Sequence, residues 1–179
     1  LRQLGDAGLN DSSTPAPFGY HELIVDKNAS TSVMIIAEPK HADSQKLFAY
    51  WKECADRGGL KLGRDLPTAA VARLMSRLIV FEPVDNNADF RIRLAGTGLL
   101  RRFGKDISGH ALSEIYQGGT FTSYSNNLRT TLANNAPLIV EVKITEGPNQ
   151  LFHIEYVFLP VMSYDGSQPW VVVGVFYFE

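Results

Sequence analysis

The last third of the chain constrains the fold most. Leu138, Val140, Val142 and Ile144 alternate with Ile139, Glu141, Lys143 and Thr145, and Phe152, Ile154, Tyr156 and Phe158 alternate with His153, Glu155 and Val157. Trp170 to Phe178 is almost continuously apolar and holds Gly174. Strand side chains point to opposite faces in turn, so a period of two reads as strand. The separators Glu146-Gly147-Pro148-Asn149 and Tyr164-Asp165-Gly166-Ser167 are turn sequences. Strands joined this closely pair antiparallel, because a parallel pair needs a crossover of a dozen or more residues.

A second hairpin precedes them. Leu78 to Val84 reads as a strand, Asp85 to Asp89 as a turn, and Phe90, Ile92 and Leu94 alternate with Arg91, Arg93 and Ala95. Helical pieces fall between the two strand groups, at Leu99 to Phe103, Ala111 to Tyr116 and Thr120 to Asn134. The longest carries an apolar stripe of Phe121, Tyr124, Leu128 and Leu132; Asn134-Asn135 can take a left-handed cap, and Pro137 forbids continuation. Upstream, Asp43 or Ser44 is expected to cap a helix to Arg57, with Leu47, Tyr50, Trp51, Cys54 and Ala55 on one side. A shorter helix follows Pro67, bearing Val71, Leu74, Met75 and Leu78 on one side.

These elements predict an α+β fold: an antiparallel five-stranded sheet, helices on one face and an extra N-terminal helix. Such a single-sheet domain leaves a natural cavity between sheet and helices. One domain over 43–179 is expected, with 43–57 as a flanking helix and 78–179 as the core. Residues 1–42 read as a largely extended or disordered tail, rich in Gly, Ser, Asn and Pro between Gly5 and Pro17. A short strand at Ser32 to Ala37, closed by Pro39, is the one element expected inside that tail.

Charge narrows the partners. The net charge is −2 and the pI near 6.1, whereas a chain that lives on phosphates is usually basic, so nucleic acid is not expected. The single cysteine, Cys54, leaves the core without a disulfide and fits a reducing cytoplasm. No stretch reaches the roughly 18 apolar residues that cross a bilayer, and no basic-then-apolar signal segment is visible, so membrane association is not expected.

The run Phe90-Arg-Ile-Arg-Leu-Ala-Gly-Thr-Gly-Leu-Leu-Arg-Arg-Phe-Gly-Lys-Asp-Ile-Ser-Gly109 resembles the PAS domain family, in particular a single-domain alphaproteobacterial subfamily. Arg91, Arg93, Gly96, Thr97, Gly104, Asp106 and Gly109 occupy the motif's places, and the Tyr50-Trp51 helix is similar to the subfamily's opening. Leu62-Gly-Arg-Asp-Leu-Pro67 departs from it, being shorter than the segment usual before the second helix. The glycines also have local reasons. Gly96 and Gly98 sit where strand becomes helix, and Gly109 where a helical piece ends; each suits a positive φ or a close contact.

The resemblance implies a non-enzymatic sensory or adaptor module. It would bind a small molecule or a partner protein, such as a histidine kinase, and act as a homodimer. The chain carries no kinase, cyclase or DNA-binding segment, so the output is expected elsewhere. Haem-binding members place a His on or near the long helix, and Thr120 to Asn134 has none. Flavin photosensors of this fold use a Cys between the hairpin and the long helix, and Leu99 to Tyr116 has none. Both cofactors are disfavoured, and the ligand stays open. The expected ligand-contacting residues are Arg93, Thr97, His110, Tyr124 and Tyr156, the tyrosines offering polar atoms to an apolar pocket.

No catalytic constellation stands out, and His21, His41, His110 and His153 lack metal-ligand spacing. Asp106, Glu114, Glu141 and Glu155 are scattered, as solvated carboxylates are. Arg91, Arg93, Arg101, Arg102 and Lys105 form a basic cluster whose plain reading is favourable charge near a helix end and whose sharper one is an anion site or an acidic partner surface. Two alternatives accompany the sensor: a ligand-free scaffold with a packed interior and an exposed apolar patch, and a small acid/base enzyme with pocket-lining carboxylates.

Overall fold

The computed structural model describes residues 29–178. Six strands form one antiparallel sheet in the order β1-β4-β5-β6-β2-β3. They are β1 (Ala29–Ile36), β2 (Leu78–Val84), β3 (Asp89–Ala95), β4 (Leu138–Glu146), β5 (Asn149–Met162) and β6 (Pro169–Tyr177). The five strands expected from alternation are present. The sixth, β1, adds to the outside of β4 and lies within the stretch read as a tail; residues 1–28 of that stretch lie outside the described residues.

The helices are α1 (Ala42–Asp56), α2 (Thr97–Phe103), α3 (Leu112–Ile115) and α4 (Gly118–Asn134), with 3-10 turns over Ala69–Arg77. Two cores result, one on each face. On the inner face α2, α3 and α4 enclose Phe81, Phe90, Ile92, Tyr116, Tyr124, Val140, Val142, Tyr156, Phe158 and Val173. On the outer face α1 and the 3-10 segment close over Leu78, Val80, Val157, Leu159, Trp170, Val172 and Phe176. Strand β6 is covered on both sides, which is why it reads as an unbroken apolar run rather than an alternating one.

The outer core depends on α1 lying close to the sheet. Leu47 and Cys54 are buried, Trp51 Nε1 donates to the Pro160 carbonyl at 2.8 Å, and Tyr50 Oη donates to the Asp65 carbonyl at 2.8 Å. At Gly174 a Cβ would sit 2.7 Å from a Leu47 methyl and 2.5 Å from the Phe176 ring. The helix begins at His41, not at Asp43 or Ser44: His41 Nδ1 accepts the Asp43 N–H at 3.1 Å, and Ser44 is buried. Of the two reasons offered for Gly96, the structure selects close approach. Its φ is −63°, and a Cβ would lie 2.4 Å from the backbone of Met75 and Ser76. Gly109, at φ +86°, has the left-handed backbone that favours glycine.

Candidate functional site

The inner layer is where sheet and helices meet. Tyr124 projects from α4 into its middle. Its ring lies 5.5 Å from Phe81, 5.6 Å from Phe158, 5.7 Å from Tyr116 and 6.3 Å from Tyr156. These tilted, stacked and edge-on contacts are the arrangements that aromatic quadrupoles favour, and the five rings pack together between the sheet and α4. Two of the polar residues that α4 buries bond to its own backbone. Ser125 Oγ donates to the Phe121 carbonyl at 2.7 Å, and Thr131 Oγ1 to the Asn127 carbonyl at 2.8 Å.

Of the five residues singled out from sequence, Tyr124 and Tyr156 therefore come together. The other three lie apart from them. Arg93 is exposed on β3, 3.6 Å from Glu82 and over the Trp170 ring at 5.7 Å. Thr97 is exposed at the first turn of α2. His110 is exposed and meets Glu114 Oε2 at 2.9 Å. That contact, with the Ala111 N–H, holds the Glu114 carboxyl below its ordinary range. Arg91 is exposed beside Arg93, and the side chains of Arg101 and Arg102 lie outside the described residues.

The outer face carries a polar junction that the sequence reading missed. Glu141 and Glu155, read there as solvated, are 1% and 0% exposed. They stand directly opposite each other on β4 and β5. Glu141 Oε2 accepts from Lys40 Nζ at 2.9 Å, and Oε1 accepts from His153 Nε2 at 2.8 Å, with Lys143 Nζ at 3.4 Å. Burial pushes the Glu141 carboxyl up, but the hydrogen bonds from Lys40 and His153 and the nearby lysine charges outweigh it and hold the carboxyl at about 2.

Glu155 binds backbone instead. It accepts the N–H groups of Lys40 at 2.9 Å and His41 at 3.2 Å, fixing the entry to α1 against the sheet. His41 completes the tie to the end of β6. Because its Nδ1 accepts from Asp43, the proton belongs on Nε2, which donates to the Tyr177 carbonyl at 3.1 Å. Its ring stacks on Phe176 at 5.4 Å, and His153 stacks on Phe178 at 3.7 Å. A cavity of about 310 Å³ opens alongside, lined by His41, Asp43, Arg77, Tyr177 and Phe178. Among the described residues no three His, Cys, Asp or Glu side chains converge as metal ligands would.

A signal for the junction was present in β5. Its outer-face residues run His153, Glu155, Val157, Leu159, Val161, polar at one end and apolar at the other. An apolar helix covering the far end must begin somewhere near the polar end, and its backbone N–H groups need acceptors there.

A single antiparallel sheet, closed on one face by short helices and one long helix and tied on the other to a separately anchored helix, defines an α+β module of the PAS type. The chain belongs to the PAS domain family, whose sequence pattern matches residues 39–176. That membership gives it a role in sensing or signalling in general terms. No curated protein and no solved structure matches the chain. Among the described residues, no helix is long and apolar enough to cross a membrane.

Proposed function

We propose that this PAS domain signals through protein contacts, as a non-enzymatic cytoplasmic homodimer or adaptor for a partner such as a histidine kinase. The observation that carries the reading is the inner layer, where Phe81, Tyr116, Tyr124, Tyr156 and Phe158 pack ring against ring. A packed interior suits a contact-driven module better than a ligand sensor.

The outer junction gives such a module a route for its state. Tyr156 faces the inner rings and its neighbour Glu155 faces outward, so adjacent residues of one strand serve both layers. A shift of the β5 backbone moves the carboxylate that anchors α1, and α1 with the end of β6 is the surface through which a partner would read the shift.

A second reading, a small-molecule sensor, draws support from the three core tyrosines, whose hydroxyls would give an apolar pocket its few polar contacts. Native mass spectrometry of protein purified without added ligand separates the two. The contact reading expects the bare polypeptide mass or an integer multiple of it. A retained molecule of a few hundred daltons would overturn it and identify the ligand class.

A further inference from the structure

A cavity of about 640 Å³ lies at the rim of the inner layer, between the last turns of α4, the β2–β3 turn and the start of β6. None of the five packed rings lines it. Its polar wall is Arg129, Asn86, Asn87 and Gln168, and its apolar wall includes Leu132 and Pro169. Among the described residues no acidic side chain lines it. Arg129 is fixed there without a counter-ion. Its Nε donates to the Asn87 carbonyl at 2.7 Å, Nη2 to the Ala88 carbonyl at 3.0 Å, and Nη1 to Asn126 Oδ1 at 3.0 Å and Ser125 Oγ at 3.3 Å. All four acceptors are neutral. A guanidinium has five N–H donors, so one stays free, and among the described residues no carboxylate pairs with the charge. Asp89, at the end of the same turn, is engaged elsewhere, accepting from Ser113 Oγ and the Phe90 N–H. Holding the turn needs donors and not a charge, so the charge is left to the cavity.

We propose that this cavity binds a small organic monocarboxylate. The carboxylate meets the free Arg129 N–H and the side-chain amides of Asn86, Asn87 and Gln168, and a short apolar body rests on Leu132 and Pro169. Charge selects the class. One uncompensated guanidinium calls for one negative charge, and a carboxylate is the acceptor it pairs with best. A doubly charged phosphate fits worse. No second cation lines the cavity, and α4 brings the negative end of its dipole to the same place. A wall that is part apolar, with a few convergent polar groups, is the usual make-up of a small-molecule site. The site stands outside the packed inner layer and goes beyond the contact-signalling reading. A ligand there bridges α4 to two turns of the sheet and biases their relative position without filling the core. A small ligand held at an open rim by one ion-pair contact should bind with a Kd of about 1 mM. Such a ligand leaves during purification, so the native mass spectrum tests contact signalling and not this site.

Titration of the full chain with isovalerate at constant ionic strength, followed by NMR, tests the site. The Arg129 Nε–H and the side-chain amides of Asn86, Asn87 and Gln168 should shift together on one isotherm. Isovaleramide, which has the same shape without the charge, and inorganic phosphate should each bind at least tenfold more weakly. Arg129→Gln should weaken isovalerate at least tenfold. Because Arg129 also holds the β2–β3 turn, a second variant leaves it in place. Ala133 is exposed and lines the cavity, and Ala133→Phe fills that space from α4 without removing any of the four Arg129 acceptors. It should abolish the shifts while Tm stays within about 2 °C. No isotherm up to about 50 mM isovalerate overturns the inference. So does isovaleramide or phosphate binding as tightly as isovalerate, or isovalerate binding that survives either substitution.

Discussion

Replacing Glu141 by Gln keeps the shape of the outer junction and removes its central charge. The carboxyl ordinarily titrates at 4.5 and is held at about 2 here. At about 1.4 kcal/mol per pH unit, that interval corresponds to roughly 3 kcal/mol of stability above pH 5. Lys40 and Lys143, at 52% and 36% exposure, are screened by water, so about 1.5–3 kcal/mol is the working range. The sign follows from the direction of the shift. A carboxyl depressed in the folded state stabilises it above the unfolded value, and the contribution is lost as pH falls from about 5 towards about 2. The Gln variant has no such titration. Urea unfolding of both proteins should show the full gap at pH 5 and less than half of it at pH 3. Both pH values lie below the ordinary titration of imidazole, and acid effects shared by the two proteins cancel in the difference. A gap that is the same at both pH values would refute an ionised, hydrogen-bonded Glu141.

Three further perturbations probe the rest of the structure. Gly96→Ala drives a methyl to 2.4 Å from the Met75 and Ser76 backbone, which cannot swing aside as a side chain would; thermal unfolding should show a loss of about 1–3 kcal/mol. Tyr124→Ala empties the centre of the inner ring cluster and should lose about 3–5 kcal/mol in denaturant titration, and a loss below about 1 kcal/mol would mean the cluster does not carry the inner core. Trp51→Phe removes the indole donor to the Pro160 carbonyl and should lose about 1 kcal/mol, with α1 amides exchanging hydrogen faster than those of α4.

How much of this was legible in the sequence depends on which force decides each feature. Strands β2 to β6 were, because burial on one face, or on both for β6, writes itself directly into apolar spacing. The inner pairing of Tyr124 and Tyr156 was legible for the same reason: both fall on the apolar face of their elements. The cap of α1 was not, since His41 accepts the Asp43 N–H through a ring nitrogen and stands before the usual capping types. The strand at Ser32 to Ala37 was visible as a short apolar run, but its place beside β4 was not, because pairing at an edge is fixed by backbone hydrogen bonds that no side chain records.

Glu141 and Glu155 were misread for an instructive reason. Alternation marks a residue as facing away from one core, and it was taken to mean facing water. On a sheet covered on both sides, the polar positions of a strand face a second layer instead. The apolar stripe of α1 implied a partner, either the outer sheet face or a second copy, and Val157, Leu159 and Val161 mark the outer face as the one it covers. Taken together they place His153 and Glu155 at its margin, where a helix start needs hydrogen-bond acceptors and where Glu155 supplies them to Lys40 and His41. The buried carboxylates follow from reading two elements jointly, and neither element alone contains them.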